Sequence, residues 1–130
     1  MTDAMFTGPP VQAPLQITFR GMTKSDALAA HVLLRTRKLE HLFARIVSCH
    51  VVFELAGHHH RHGDRYRVTI NLALPGAALL VDYPPSDEHF AVTAKAAVDR
   101  AFDEEERQLE HWVRRQRADR RDKVPSSRGT

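Results

Sequence analysis

One cysteine in 130 residues, Cys49, excludes an intramolecular disulfide and a cysteine-based zinc site, and fits a reducing compartment. No apolar run approaches the roughly 18 residues that a membrane-spanning helix needs. The leader MTDAMFTGPPVQAP lacks both the basic start and the apolar centre of a secretory signal. There is no glycine-rich phosphate loop and no Ser-His-Asp arrangement. Cys49 alternates onto the core face of its strand, where a thiol is inert. Asp99, Asp103 and the neighbouring glutamates fall on a solvated helix face instead of a cleft. These absences lead us to expect a cytoplasmic chain, with no catalysis, cofactor, small-molecule substrate or membrane partner. The 42% hydrophobic content and the length suffice for one domain with a real core.

What is abundant is positive charge, and it is unevenly placed. Residues 111–130 carry seven basic groups (Arg114, Arg115, Arg117, Arg120, Arg121, Lys123 and Arg128) against Asp119 and Asp122, whereas residues 1–110 carry twelve against fourteen. A basic end on a nearly neutral body marks a polyanion partner such as RNA, with a merely solubilising tail as the bland alternative.

Periodicity orders the rest. LQITF alternates Leu15, Ile17 and Phe19 with polar residues, as a half-buried strand does. TKSDALAAHVLLRTRKLEHLF offers Thr23 or Ser25 as N-cap and sets Leu28, Val32, Leu39, Leu42 and Phe43 on one side of a helix. From Val47 the period returns to two, with Val47, Cys49, Val51, Phe53 and Leu55 on one face. RYRVTINLAL alternates again, PGAA reads as a turn, and LLVDY is a fourth strand. A long helix is expected from about Asp87 to Arg120, with Ala94, Val98, Phe102, Leu109, Trp112 and Val113 along its stripe. The expected fold is α+β in the order β-α-β-β-β-α: a four-stranded sheet, both helices on one face, the other face open. Residues 1–14 are expected to be a disordered leader, 15–121 the domain and 122–130 a disordered basic tail.

Between the second and third strands lies GHHHRHG, residues 57–63. In an extended strand His58, His60 and His62 share one side, a workable metal spacing. Gly57 and Gly63 bracket the run and leave nothing to preorganise a site, so a hydrated hairpin tip, with Arg61, Arg65 and Arg67 as RNA contacts, is preferred to a metal site.

On the first helix Arg37, Lys38, His41 and Arg45 are expected to form one solvated basic face. On the second, Arg100, Arg107, Arg114 and Arg121 recur every seven residues and drift by only about 20° per step, making a continuous line opposite the apolar stripe. Arg115 and Arg117 lie close by. Arginine suits such a surface because its planar fork meets phosphate oxygens in pairs, although arginine is also simply a good residue for an exposed helix.

The order of elements, LQITFRGM, RTRKLEHLFARI running into CHVVFEL, the His-rich hairpin, LALPGAALLVDYPP and AFDEEERQLEHWVRRQRADRR together resemble the ribosome hibernation-promoting factor and ribosome-associated translation inhibitor family, over roughly residues 15–121. The resemblance implies a protein, monomeric off the ribosome, that binds the rRNA and proteins of the small subunit in the channel for mRNA and tRNA and silences translation in stress or stationary phase. It also implies a short form that does not bridge two ribosomes. A general double-stranded-RNA-binding or RNA-chaperone module remains the alternative, with a metal-responsive regulator behind it. DEEE, residues 103–106, departs from the more lysine-rich family pattern. Pairing of Glu104 and Glu110 with Arg107 and Arg114 moves the expected RNA contact toward Arg114, Arg115 and Arg117. Glu105 falls near the apolar stripe without an evident role.

Overall fold

The computed structural model describes the backbone of residues 13–59, 63–83 and 93–123, and the side chains of 13–55, 66–83 and 93–120. The order is β1 (Leu15–Arg20), α1 (Asp26–Leu42), β2 (Ser48–His59), β3 (Gly63–Leu74), β4 (Ala77–Tyr83) and α2 (Ala94–Lys123). The strands form one sheet in the order β1-β2-β3-β4. β1 runs parallel to β2, with α1 as the crossover between them, and β2, β3 and β4 form an antiparallel meander. This is the α+β arrangement that the alternating strands imply.

Period two decides which face is covered. Cys49, Val51 and Phe53 of β2, Val68, Ile70, Leu72 and Leu74 of β3, and Val81 of β4 are buried in one cluster with Leu28, Val32 and Leu39 of α1 and Val98, Phe102, Leu109 and Trp112 of α2. Both helices therefore cover the same sheet face.

Several boundaries differ from the expectation. α2 begins at Ala94, where Thr93 caps it: its hydroxyl accepts from the Ala96 N–H at 3.0 Å, and the expected stretch from Asp87 to Val92 lies outside the described residues. Ser25, not Thr23, caps α1 by accepting from the Leu28 N–H. α1 stops at Leu42, so Arg45 lies in the following turn. Val47 precedes β2 and is exposed. β4 starts at Ala77, because Leu74 already pairs with Ala77 across a two-residue turn. In that turn Pro75 supplies the first central position and Gly76, at φ +77°, the second, which fits a type II turn. Gly21 is more constrained: at φ +72° it also brings its backbone so close to Leu55 that a Cβ would lie 2.9 Å from the carbonyl oxygen.

Two polar side chains occupy the core. Thr36 donates its hydroxyl to the Val32 carbonyl at 2.8 Å, one turn back. Glu105 is 0% exposed, and neither carboxylate oxygen has a hydrogen-bond partner. It stands one turn from Phe102 and Leu109 on the buried stripe of α2, which settles the position the sequence left open. Burial, and secondarily the charge of Glu104, pushes its carboxyl up to about 8, so it is held as the neutral acid at neutral pH. Burial, and then the proximity of Glu105, likewise drives the Cys49 thiol up to about 12, an inert thiol as its strand position implies.

The raised carboxyl fixes the sign of a pH dependence. Between the ordinary value of 4.5 and about 8 the folded chain holds a proton that the unfolded chain releases, so stability falls as pH rises through that window and levels off above it. The slope is at most about 1.4 kcal/mol per pH unit. Urea denaturation at pH 5, 7 and 9 should show Glu105→Gln converging with, then exceeding, the parent in relative stability as pH rises. Parallel profiles for the two proteins would show that Glu105 titrates normally.

Candidate nucleic-acid interface

The middle of α2 is acidic, and α1 absorbs that charge. Arg35, with a side chain only 13% exposed, donates to Asp99 at 2.7 Å, to Asp103 at 2.7 Å and to Glu106 at 2.9 Å. Burial works against the guanidinium, but these three hydrogen bonds more than offset it and hold its pKa above the ordinary value. Asp99 also meets His31 Nε2 at 2.6 Å. Burial there opposes its charge, and the His31 and Arg35 contacts prevail and hold the carboxyl below its usual range. Lys38 stands 3.6 Å from Glu106. On the neighbouring face of α2, Glu104 engages Arg107 through two hydrogen bonds, as the spacing implies, and draws in Gln108. The expected partner pair, Glu110 with Arg114, is not formed among the described residues.

The open sheet face is neutralised in the same way. Strand register aligns Arg20 with Glu54 and Glu54 with Arg67, and Arg67 forks onto Asp82 at 3.0 and 2.7 Å. That fork, together with Thr69, holds the Asp82 carboxyl below its ordinary range. Thr18 and His50 meet at 3.1 Å across β1 and β2. The face is largely polar as expected, and Arg67, among its described cations, is committed to Asp82.

The distal end of α2 is different. Arg114, Arg115, Arg117 and Arg120 are exposed, and none meets a carboxylate among the described residues. The C-terminal end of α1 comes alongside them. Leu42, Phe43 and Arg45 face Trp112, Val113 and Arg117 across a groove of about 430 Å³, and Arg120 and Pro75 complete its walls. Phe43 and Trp112 form its aromatic floor, ring centroids 5.2 Å apart and nearly perpendicular, and the Arg45 guanidinium sits 5.4 Å above the Phe43 ring. A shallower depression beside it is lined by Glu110, Arg114 and Arg117.

The structure thus brings Arg45 to Arg114 and Arg117, and leaves the other sequence-derived candidates apart. Lys38 and His41 are exposed on α1, but Arg37 is half-buried, on the flank where Glu40 accepts from the Ala13 N–H ahead of β1. Arg100 donates to the Tyr83 hydroxyl near the start of α2. The paired ends of β2 and β3, His59 and Gly63, lie at the opposite end of the sheet from the groove, since β2 runs 11 steps from Ser48 to His59, about 36 Å. The side chains of His58, His60, His62, Arg61, Arg65 and Arg121 lie outside the described residues, as do the leader through Gln12 and the tail from Val124. Among the described residues no cluster of His, Cys, Asp or Glu has a metal-holding arrangement, and no helix is long and apolar enough to cross a membrane. Sequence reasoning counted Arg120 only within the basic end, and missed its place in the groove, the groove role of Phe43 and Trp112, and Arg35. The spacing of Asp99, Asp103 and Glu106 at i, i+4 and i+7 was the available signal for a buried cation opposite.

The family model described as sigma 54 modulation protein / S30EA ribosomal protein matches residues 15–117. The chain belongs to that family. It is a family of ribosome-associated factors, and the S30EA match spans β1 through the groove-lining part of α2. Among solved structures, the N-terminal domain of Protein Y from Thermus thermophilus is similar at 25% identity and a TM-score of 0.61, covering 78% of this chain and 99% of that one. A ribosomal subunit interface protein from Coxiella burnetii shares the fold at 20% identity and a TM-score of 0.56, covering 76% of this chain and 96% of that one. No curated protein matches the chain.

The two kinds of arginine should separate by mutation. Arg35→Met leaves Asp99 and Glu106 with only His31 and Lys38 in reach and should cost on the order of 2–3 kcal/mol of stability, below the range for a fully buried pair because Asp103 and Asp99 also reach solvent. Ala at Arg114, Arg115 or Arg117 should cost no more than about 0.5 kcal/mol each. Chemical denaturation of the four variants measures both; equal losses would mean that the distal arginines are structural too.

Proposed function

We propose that the chain is a ribosome-associated translation inhibitor that binds the small subunit with the groove end of the domain, where α1 ends and α2 carries its exposed arginines, against rRNA. The carrying observation is the match to the S30EA family across residues 15–117, and the distribution of charge supports the orientation. Asp99, Asp103 and Glu106 of α2 are engaged by α1, Glu104 by Arg107, and Arg67 of the sheet face by Asp82, whereas the distal arginines are exposed. An exposed arginine cluster on a rigid helix meets phosphates directly, and each contact made releases counterions. The action is occlusion of the mRNA and tRNA channel under stress or in stationary phase, in the cytoplasm, by a monomer that performs no turnover. Arg114, Arg115 and Arg117 with Arg45 form the central contact. Arg37, Lys38, His41, Arg100, Arg107 and Arg121 extend it along both helices, and Arg61 and Arg65 add contacts from the hairpin, whereas Arg67, forked onto Asp82, stays out of it. The domain spans residues 15–121.

Co-sedimentation with purified small subunits tests this reading. Binding should weaken steeply between 50 and about 200 mM salt, and Ala at Arg114, Arg115 and Arg117 together should flatten the log–log salt dependence by about one for each arginine that meets a phosphate. The same triple variant should inhibit translation in vitro less than the parent. Equal affinity for subunits and for any duplex RNA would instead identify a general RNA-binding module, and undiminished inhibition by the triple variant would place the contact elsewhere.

A further inference from the structure

The groove between the end of α1 and distal α2 has a composition that phosphate contact alone does not require. Val113, Gln116, Arg117 and Arg120 recur at i, i+3, i+4 and i+7, so one face of α2 supplies an apolar wall and two guanidinia. Opposite, Phe43 is half-buried and carries Arg45 above its ring. Trp112 closes the floor at 8% exposure, so its indole meets solvent only marginally, and it lines the groove. The groove's volume, about 430 Å³, falls within the range of small-ligand sites. A duplex presents phosphates and no free base face, and an acidic peptide presents carboxylates but no aromatic face. A cationic rim over an aromatic floor, with a guanidinium already held above a ring, suits a planar group attached to an anion. Unpaired RNA offers that combination, because its unstacked bases lie on aromatic side chains and on guanidinium planes while its phosphates follow a basic track.

We propose that this groove is a single-nucleotide subsite, in which an unstacked base of single-stranded RNA stacks over the Arg45–Phe43 pair and the adjoining phosphates are held by Arg117 and Arg120. The inference rests on the reading of this end of the domain as the RNA-facing one, and adds that the recognised element there is an unpaired nucleotide. Selectivity follows from the base as well as the phosphates: a strand without bases keeps the charge contacts and loses the stacking.

Trp112 is the sole tryptophan of the chain, so its emission reports on the groove directly. The full chain is titrated with a six-nucleotide oligouridylate, with an abasic ribose-phosphate strand of equal length, with a blunt duplex and with hexaglutamate. Oligouridylate should change Trp112 emission saturably and bind about ten-fold or more tightly than the abasic strand, and Phe43→Leu should reduce that preference toward one-fold. Arg117→Ala with Arg120→Ala should weaken both single strands alike. Should Phe43→Leu fail to fold, the comparison of the four probes on the unmodified protein decides the matter alone. Equal affinity for the abasic strand, an equal response to the duplex or to hexaglutamate, or oligouridylate binding that leaves Trp112 emission unchanged would overturn the subsite. Co-sedimentation with small subunits, run in parallel, separates the two ideas: subunit binding with a silent Trp112 overturns the subsite alone, and loss of subunit binding with a responsive Trp112 overturns the ribosomal reading alone.

Discussion

A single guanidinium organises the charge of this domain. Arg35 leaves α1, lies largely out of solvent, and collects Asp99, Asp103 and Glu106 from successive turns of α2. It fixes the two helices side by side, because it ties the largely buried Glu106 and the partly buried Asp99 of α2 to α1 and supplies the cation they need there. It also takes the acidic middle of α2 out of the surface field. Arg107 does the same for Glu104, and Arg67 for Asp82. The described cations that remain without carboxylates on distal α2 therefore lie together, next to Arg45 where α1 ends.

The topology then gives that end of the molecule its shape. β1, α1 and β2 form a parallel crossover, so the end of α1 lies near the start of β2, and the Pro75–Gly76 turn returns the chain to the same end. α2 runs from Tyr83, which accepts from Arg100, toward Pro75, which shares the groove with Arg120. Aromatic packing marks both ends of the sheet: Phe19, Phe53 and Tyr66 toward the β2–β3 tip, and Phe43 with Trp112 beneath the arginines. His58 and His59, which open the His-rich stretch, thus belong to the far end of the sheet from the groove.

The strands were legible because each buries one face, and a period of two survives any detail of packing. The start of α2 was less so, since the acidic residues ahead of Thr93 imitate a first helical turn. Glu105 was opaque because a carboxylate at a stripe position reads as polar whatever surrounds it, and its lost charge depends on a core assembled from five other elements. Arg35 escaped notice because its partners lie 64 to 71 residues away in the chain. The exposed arginines of distal α2 were visible from spacing, but Arg120, Phe43 and Trp112 acquire their common setting only when α1 and α2 are laid together.

The central claim is that the groove end, not the open sheet face, meets the ribosome. Arginine-selective labelling with phenylglyoxal, read residue by residue by mass spectrometry with and without saturating small subunits, tests it most directly. Arg45, Arg114, Arg117 and Arg120 should be protected, with Arg20 and Arg67 labelled equally in both states. Protection of Arg20 and Arg67 while the distal arginines stay fully reactive would contradict it.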